Sequence, residues 1–169
     1  MNVKLSALSS DDRKPVIDIF NYYIGTGFAA YPELPLPYEA YDVLLKMSAG
    51  FPAIAARDET GQVLGFAMLR PYSSISTFRK TVEITYFIRH DCTGAGIGRL
   101  MLDDLVEKAR GMGITSILAS VSSLNDGSLR FHLKNGFVEC GRFPKIGWKN
   151  GREFDVVYLQ RSIPGKQAI

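Results

Sequence analysis

Residues 81–109 constrain the fold most, because a strand pattern, a glycine loop and a helix pattern follow one another there. Residues 81–88 are rich in β-branched and aromatic side chains, which favours a strand. The loop Thr93-Gly94-Ala95-Gly96-Ile97-Gly98 comes next, and apolar residues then recur at helical spacing at Ile97, Met101, Leu105 and Ala109. A further strand is predicted over 116–121, and strand–helix–strand units of this kind are almost always parallel and right-handed.

The rest of the chain alternates between strand and helix patterns around this unit. The other predicted elements are a strand at 3–8, helices ending near Tyr23 and spanning 38–47, a hairpin of strands 51–57 and 63–69, a helix at 125–134, a strand at 137–142, a turn region at 147–152 and a last strand at 154–160. We therefore expect an α/β (α+β) fold in which a mixed sheet of about seven strands carries helices on both faces.

Composition limits the classes of partner. The length of 169 residues and the 46% hydrophobic content suit a single domain over 1–169. The net charge is +3, and the cations are scattered, so neither a nucleic acid nor a membrane is expected as a partner. No segment resembles a signal peptide or approaches the roughly 20 apolar residues of a membrane span. Cys92 and Cys140 lack metal-ligand spacing, which favours a reduced, cytoplasmic protein without a metal.

The glycine loop has the features of a phosphate cradle. Glycines let the backbone turn tightly, and the following helix N-terminus supplies free N–H groups and partial positive charge. A P-loop needs Lys and Ser or Thr after the last glycine, where Arg99 and Leu100 stand. A dinucleotide fingerprint needs different glycine spacing in the first βαβ unit. An acyl-CoA loop and a tight turn without a ligand stay open at this point.

The wider pattern resembles the GNAT acetyltransferases, and more narrowly their phosphinothricin and methionine-sulfoximine N-acetyltransferase branch. The similarity covers nearly the whole chain and is strongest from Val82 to Phe137. Its motifs are the strand Val82-Glu83-Ile84-Thr85-Tyr86-Phe87-Ile88, the glycine loop, Asn125-Asp126-Gly127-Ser128 and His132-Leu133-Lys134-Asn135-Gly136-Phe137.

This resemblance implies the GNAT acyl-CoA N-acyltransferase fold, acetyl-CoA as the co-substrate and a homodimer. The residues that it assigns to the cofactor are Tyr86, Phe87, Ile88, Thr93, Gly94, Ala95, Gly96, Ile97, Gly98, Arg99, Asn125, Ser128 and Lys134. The chain departs from the family at Cys92-Thr93, where most members carry a cation before the first glycine. We therefore expect backbone N–H groups, Arg99 and the Thr93 hydroxyl to hold the phosphates.

Three side chains are candidates for the chemistry of acetyl transfer to an amine. Glu83 lies among apolar neighbours and matches the carboxylate that the family uses as a base, with an outward-facing surface role as the alternative. His132 occupies the place where many relatives carry a thiolate-protonating Tyr, and Tyr86 is a weaker alternative for that proton. The oxyanion donor is expected to be the backbone N–H near Phe87 or Ile88.

The acceptor is expected to be a small, amino-acid-like primary amine that enters opposite the cofactor. Its candidate contacts are Phe28, Tyr31, Arg70, Tyr72, Arg79 and Glu83, where either arginine would pair with a substrate carboxylate. The residues around Phe154 and the loop at 73–76 depart from the herbicide-type relatives. A non-catalytic acyl-CoA sensor on the same fold is the main competing function, and a nucleotide-binding protein is the third.

Overall fold

A computed structural model describes residues 2–165 of the chain. Its strands are β1 (Lys4–Ala7), β2 (Ala53–Arg57), β3 (Val63–Pro71), β4 (Thr81–Ile88), β5 (Ser116–Ser122), β6 (Val138–Lys149) and β7 (Arg152–Ser162). Its helices are α1 (Arg13–Gly25), α2 (Ala40–Met47), α3 (Ile97–Gly111) and α4 (Asp126–Lys134).

The strands form one seven-stranded sheet in the order β1-β2-β3-β4-β5-β7-β6. Every neighbouring pair is antiparallel except β4 and β5, which the α3 crossover makes parallel. This pairing is short, because it runs only from Thr81 opposite Ser116 to Glu83 opposite Leu118. Beyond it the two strands diverge, which leaves an opening between residues 84–88 of β4 and 119–122 of β5. We call this opening the split.

Helices cover both faces of the sheet, as the sequence predicted. On one face, α1 and α2 pack against side chains that include Phe66, Met68 and Phe87. On the other, α3 and the start of the α4 region cover a larger core that contains Ile84, with Tyr86 and Ile88 packed at its margin. Because side chains alternate along a strand, consecutive residues of β4 point to opposite faces. The split is therefore an opening that side chains from both faces of the sheet can line.

The predicted turn region over 147–152 was too broad. Strand β6 continues through Trp148 and Lys149, and only Asn150 and Gly151 turn, with φ of 50° and 71°. Gly147 misled the prediction, because its role is spatial: a Cβ there would collide with the Phe154 ring on the neighbouring strand. Helix α1 also begins later than its polar start suggested, because residues Ser10–Asp12 form a 3-10 turn.

Candidate active site

A cavity of about 800 Å³ passes through the split and is lined from both faces of the sheet. Arg89 N–H donates to Leu64 O at 2.7 Å and Tyr72 N–H donates to Thr81 O at 3.2 Å, which fixes the alternation of the β3–β4 ladder. Odd-numbered residues of β4 therefore bond to β3, and Tyr86 and Ile88 point their backbone groups into the split. Tyr23 Oη donates to Ile88 O at 2.7 Å. Because Ile88 does not bond to β3, its N–H also faces the split.

This ladder narrows the expected oxyanion donor. The amide of Phe87 faces its partner Phe66 on β3, whereas the amide of Ile88 faces the opening. The Phe87 ring still lines the cavity on the α1 side. Of the two backbone donors that the sequence left open, the geometry favours Ile88.

The glycine loop leads from β4 into the N-terminus of α3. Gly94 and Gly96 have φ of 79° and 83°, a region that side-chain-bearing residues rarely adopt. Gly98 serves a different purpose, since a Cβ there would lie 3.1 Å from Ile88 Cδ1 and 3.4 Å from the Phe131 ring. Thr93, Gly94 and Gly98 line the cavity, so the free N–H groups at the start of α3 lie at its edge.

The side chains expected to assist this loop already have partners. Thr93 Oγ1 donates its hydrogen to His90 O at 3.0 Å. The Arg99 guanidinium donates to Asp103 at 2.6 Å and to Asn135 Oδ1 at 2.8 Å. Lys134 is exposed and lies outside the cavity lining. Ala95 and Ile97 also lie outside that lining, so Thr93, Gly94 and Gly98 are the residues of the loop that reach the cavity.

Asn125 and Ser128 lie where α4 begins, on the α3 side of the split. Asn125 caps the helix, with its Oδ1 accepting the Ser128 N–H at 3.2 Å, and both residues line the cavity. Capping leaves the Asn125 amide NH₂ available to a ligand. The short helix thus presents two of the predicted cofactor residues together.

His132 and Tyr86 form a hydrogen-bonded pair on the same side. Tyr86 Oη lies 2.5 Å from His132 Nε2, and His132 Nδ1 lies 2.7 Å from Ser128 O. A carbonyl only accepts, so Nδ1 carries the hydrogen and the Tyr86 hydroxyl donates to Nε2. Burial lowers the pKa of His132 below its usual value, and burial raises the pKa of Tyr86. At neutral pH the pair is a neutral imidazole and a protonated phenol.

Glu83 lies on the opposite face, where α1 and α2 pack. It stands directly across the ladder from Arg70, whose Nη2 lies 2.6 Å from Glu83 Oε2. The Glu83 side chain is 20% exposed and lines the cavity, so it is neither a surface residue nor surrounded only by apolar groups. Arg70 Nε is buried and has no hydrogen-bond partner among residues 2–165. The Arg70 guanidinium is therefore paired with Glu83 through Nη2, while its Nε is enclosed by the protein.

The other predicted acceptor residues are only partly brought together. Tyr31 lines the cavity and its hydroxyl lies 3.0 Å from Ser120 Oγ on β5. Phe28 lies outside the lining, with its ring centroid 5.8 Å from that of Phe154. Tyr72 and Arg79 also lie outside it: the Tyr72 ring packs on Phe78, and Arg79 donates to Ser76 O.

Sequence reasoning missed much of the cavity wall on the α1 and α2 side. The missed residues are Phe20, Tyr23, Leu44, Met47 and Met68. Each of them is an apolar residue within a predicted helix or strand, so periodicity gives no signal that distinguishes a cavity wall from a core. Within residues 2–165 we find no cluster of three or more His, Cys, Asp or Glu that could hold a metal. The helices of that same part of the chain lack the length and apolar character to span a membrane.

Comparison with known proteins identifies the fold and the donor chemistry. Residues 16–137 match the model of the acetyltransferase (GNAT) family. The chain is 31% identical over 154 residues to an L-methionine sulfoximine/L-methionine sulfone acetyltransferase of Pseudomonas paraeruginosa, with 90% of each protein covered. It is 32% identical over 159 residues to a phosphinothricin N-acetyltransferase of Alcaligenes faecalis, covering 90% of this chain and 79% of that one.

A solved structure extends the similarity to the cofactor. A GNAT superfamily phosphinothricin acetyltransferase from Sinorhizobium meliloti, in complex with AcCoA, has a TM-score of 0.91 and 25% identity, covering 100% of this chain and 93% of that chain. The loop, the split and the free strand edge are the features that an acyl-CoA requires. The chain therefore belongs to the GNAT family, in its phosphinothricin and methionine-sulfoximine acetyltransferase branch, and is an acetyl-CoA-dependent N-acetyltransferase.

Proposed function

We propose that this enzyme acetylates the primary amine of a small, amino-acid-like substrate, with Glu83 as a base that acts through water. The observation that carries the proposal is the cavity through the split, with the glycine loop on one face and the Glu83–Arg70 pair on the other. Such a cavity lets an amine and a thioester meet from opposite sides of the sheet. Holding both reactants in line supplies a large share of the rate.

Arg70 supports an acceptor that carries a carboxylate. Arg70 lines the cavity, and a guanidinium binds a carboxylate best through two donors. Phe20, Leu44, Met47 and Met68 supply an apolar wall on the same side, suited to the substrate side chain. The two curated relatives described above have names that refer to methionine sulfoximine, methionine sulfone and phosphinothricin, all of which are amino-acid-like.

Glu83 has the position and charge that a base needs. Its ion pair with Arg70 keeps the carboxylate oriented toward the cavity, and an incoming ammonium would complete a second charge-assisted contact. In the proposed reaction the amine loses one proton to Glu83 through water and attacks the thioester carbonyl. The Ile88 N–H then stabilises the negative charge that develops on the carbonyl oxygen. When the tetrahedral intermediate collapses, the C–S bond breaks and CoA leaves as a thiolate, while the nitrogen loses its second proton and so balances the one that the thiolate takes up.

Tyr86 is the better of the two candidates for returning a proton to the leaving thiolate. The neutral His132 carries its hydrogen on Nδ1, which is already bonded to Ser128 O, so its Nε2 has none to give. The Tyr86 hydroxyl is protonated at neutral pH because burial raises its pKa, and it donates to the thiolate by turning its hydrogen away from His132 Nε2. We assign the proton donor to Tyr86 and the orientation of that hydroxyl to His132.

Cytoplasmic location and a homodimer complete the proposal. The two cysteines are free, as is usual in a reducing compartment. Exposed apolar side chains at Phe143, Ile146 and Trp148 give β6 a surface suited to a second copy. The family resemblance supports the same assembly, and sedimentation of the purified protein measures it.

A thiol-release assay with acetyl-CoA tests the function. The panel contains methionine sulfoximine, phosphinothricin and methionine, each beside an analogue that has lost its carboxylate, together with polyamines and peptide N-termini. We expect the amino acids to exceed their decarboxylated analogues at least about tenfold in kcat/KM, because only they can pair a carboxylate with the Arg70 guanidinium. Binding of acetyl-CoA without turnover of any amine would instead favour the non-catalytic sensor.

A further inference from the structure

Lys149 is a buried lysine that the proposed chemistry does not use. It is the last residue of β6, next to the Asn150-Gly151 turn, and only 1% of its surface is exposed. A charged ammonium is costly to bury unless hydrogen bonds compensate it. Lys149 Nζ donates to Ile24 O at 2.8 Å and to Ala30 O at 2.7 Å. Both acceptors lie more than a hundred residues away along the chain, so the bonds join distant parts of the fold.

One of the two carbonyls lies at the end of α1 and the other within the segment that follows it. Ile24 lies in the last turn of α1, where unpaired carbonyls and the helix dipole favour a cation. Ala30 lies in the irregular segment that follows, and residues 29–32 of that segment line the acceptor side of the cavity. We call residues 26–32 the acceptor strap. It has no helix or strand of its own, so its position depends on what it is bonded to.

Aromatic contacts attach the strap to the same hairpin. The rings of Phe28 and Tyr31 lie 5.8 and 5.9 Å from the Phe154 ring, and the Arg152 guanidinium lies 5.6 Å from the Phe28 ring centroid. Gly147 makes this possible, since it leaves the space that the Phe154 ring occupies. The hairpin of β6 and β7 thus supports the strap from behind. Lys149 adds a buried, charge-assisted hydrogen bond from this hairpin to the strap.

The far side of the strap reaches across the split. The Tyr31 hydroxyl bonds to Ser120 Oγ on β5, and burial raises the pKa of Tyr31, so this hydroxyl stays protonated. Tyr31 is nevertheless partly exposed, and a single neutral hydrogen bond is weaker than bonds to an ammonium. The strap is therefore held firmly at Ala30 and loosely at Tyr31.

We infer that Lys149 is a positioning residue that fixes the acceptor strap, and through it the affinity for the amine but not for acetyl-CoA. This inference rests on the proposed function, because it assigns the strap side of the cavity to the amine. The strap contributes no residue to the glycine loop, to Asn125 or to the Tyr86–His132 pair. Substitution of Lys149 is therefore expected to weaken the binding of the amine and to leave the binding of acetyl-CoA unchanged.

The substitution Lys149→Met tests this, since it keeps the length of the side chain and removes the charge and donors. We expect the KM for the best amine of the panel to rise at least about tenfold, the scale of a lost charge-assisted bond. We expect kcat to change less than about threefold and the Kd of acetyl-CoA, measured by calorimetry, to change less than about twofold. Lys145→Met is the matched control, because Lys145 lies on the same strand with its side chain 74% exposed.

Two further variants of Lys149 test the same role. Lys149→Arg retains donors for both carbonyls and should recover most of the amine affinity. If Lys149→Met does not fold, Lys149→Gln replaces it with the same expected split between the two substrates. Equal losses for amine and acetyl-CoA, or no loss for either, overturn the inference.

Hydrogen exchange separates this inference from the proposed function, because it needs no turnover. We expect the amides of residues 26–31 to exchange faster in Lys149→Met than in the wild type, while those of α3 stay unchanged. If no amine is acetylated by the wild type but the strap still loosens, the function fails and the anchoring role stands. Unchanged exchange in the strap overturns the anchoring role, whatever the activity.

Discussion

The two sides of the split are built in different ways. The donor side, formed by the glycine loop, the free edge of β4 and the start of α4, presents mainly backbone groups to the cavity. The acceptor side presents side chains from α1, the strap, α2, β3 and β4. Backbone sites demand glycines and caps at fixed spacing, so they leave a motif in the sequence. Side-chain sites assembled from separate elements leave none.

The largest expected effect is a loss of turnover on the acceptor side that leaves acetyl-CoA binding on the donor side unchanged. We expect Glu83→Gln to lower kcat at least about a hundredfold, since a positioned base contributes that much or more. The Kd of acetyl-CoA should change less than about twofold, because Glu83 lies on the face away from the loop. Glu153→Gln, an exposed carboxylate on β7, is the control. Unchanged turnover across the pH range would remove Glu83 as the base.

A smaller loss of turnover is expected on the donor side. Tyr86→Phe removes the hydroxyl assigned to the thiolate and should lower kcat by about thirtyfold, less than Glu83→Gln because water can protonate a thiolate. Affinities for both substrates should be preserved, as measured by steady-state kinetics and calorimetry. Tyr22→Phe, on the exposed face of α1, serves as the control. Wild-type turnover in Tyr86→Phe would return the assignment of the acid to His132 or to solvent.

A substitution in the glycine loop is expected to weaken acetyl-CoA binding without affecting the amine. Gly96→Ala forces a Cβ onto a residue with φ of 83°, and we expect the Kd of acetyl-CoA to rise about tenfold, while the KM for the amine changes little. Gly111→Ala, at the other end of α3, has open space for a Cβ and no positive φ, so it should leave the Kd unchanged. Equal Kd values for the two variants would show that the loop geometry does not determine donor binding.

The smallest effect concerns stability and pH. Burial lowers the folded-state pKa of His132, so the unfolded chain takes up a proton first as pH falls. Stability is therefore highest above the unfolded value near 6.5 and declines as pH drops below it, by at most about 1.4 kcal/mol per pH unit for one proton. Thermal unfolding at pH 7.5 and 5.5 measures this. The decline should persist in His90→Gln and shrink in His132→Gln.

The contrast between backbone sites and side-chain sites also explains which features could be predicted from the sequence. Strand periodicity and crossover handedness predicted the mixed sheet and the parallel β4–β5 pair, and the GNAT resemblance identified the family and its donor. The 2.5 Å contact between Tyr86 and His132 joins residues 46 positions apart, and no local pattern encodes it. The Arg70–Glu83 ion pair likewise depends on the exact register of two strands. Arg70 was predicted only as a partner for substrate.

Lys149 is a further limit of sequence interpretation. A lysine beside an Asn-Gly turn is normally exposed, since turns lie at the surface and lysine is rarely buried. Here the side chain instead turns inward to two carbonyls of a segment whose own sequence is irregular. Only the three-dimensional arrangement of the β6–β7 hairpin behind the strap makes this favourable.

Gly98 lets helix α3 pack closely against the end of β4. Because it has no side chain, the first turn of α3 rests directly against Ile88 at the end of β4 and against Phe131 of α4. A methyl group there would lie 3.1 Å from Ile88 Cδ1, closer than an ordinary contact, so the Ile88 side chain or the helix would have to shift. Glycine at this position therefore lets the N-terminal amides of α3 lie close to the strand end whose Ile88 amide faces the cavity.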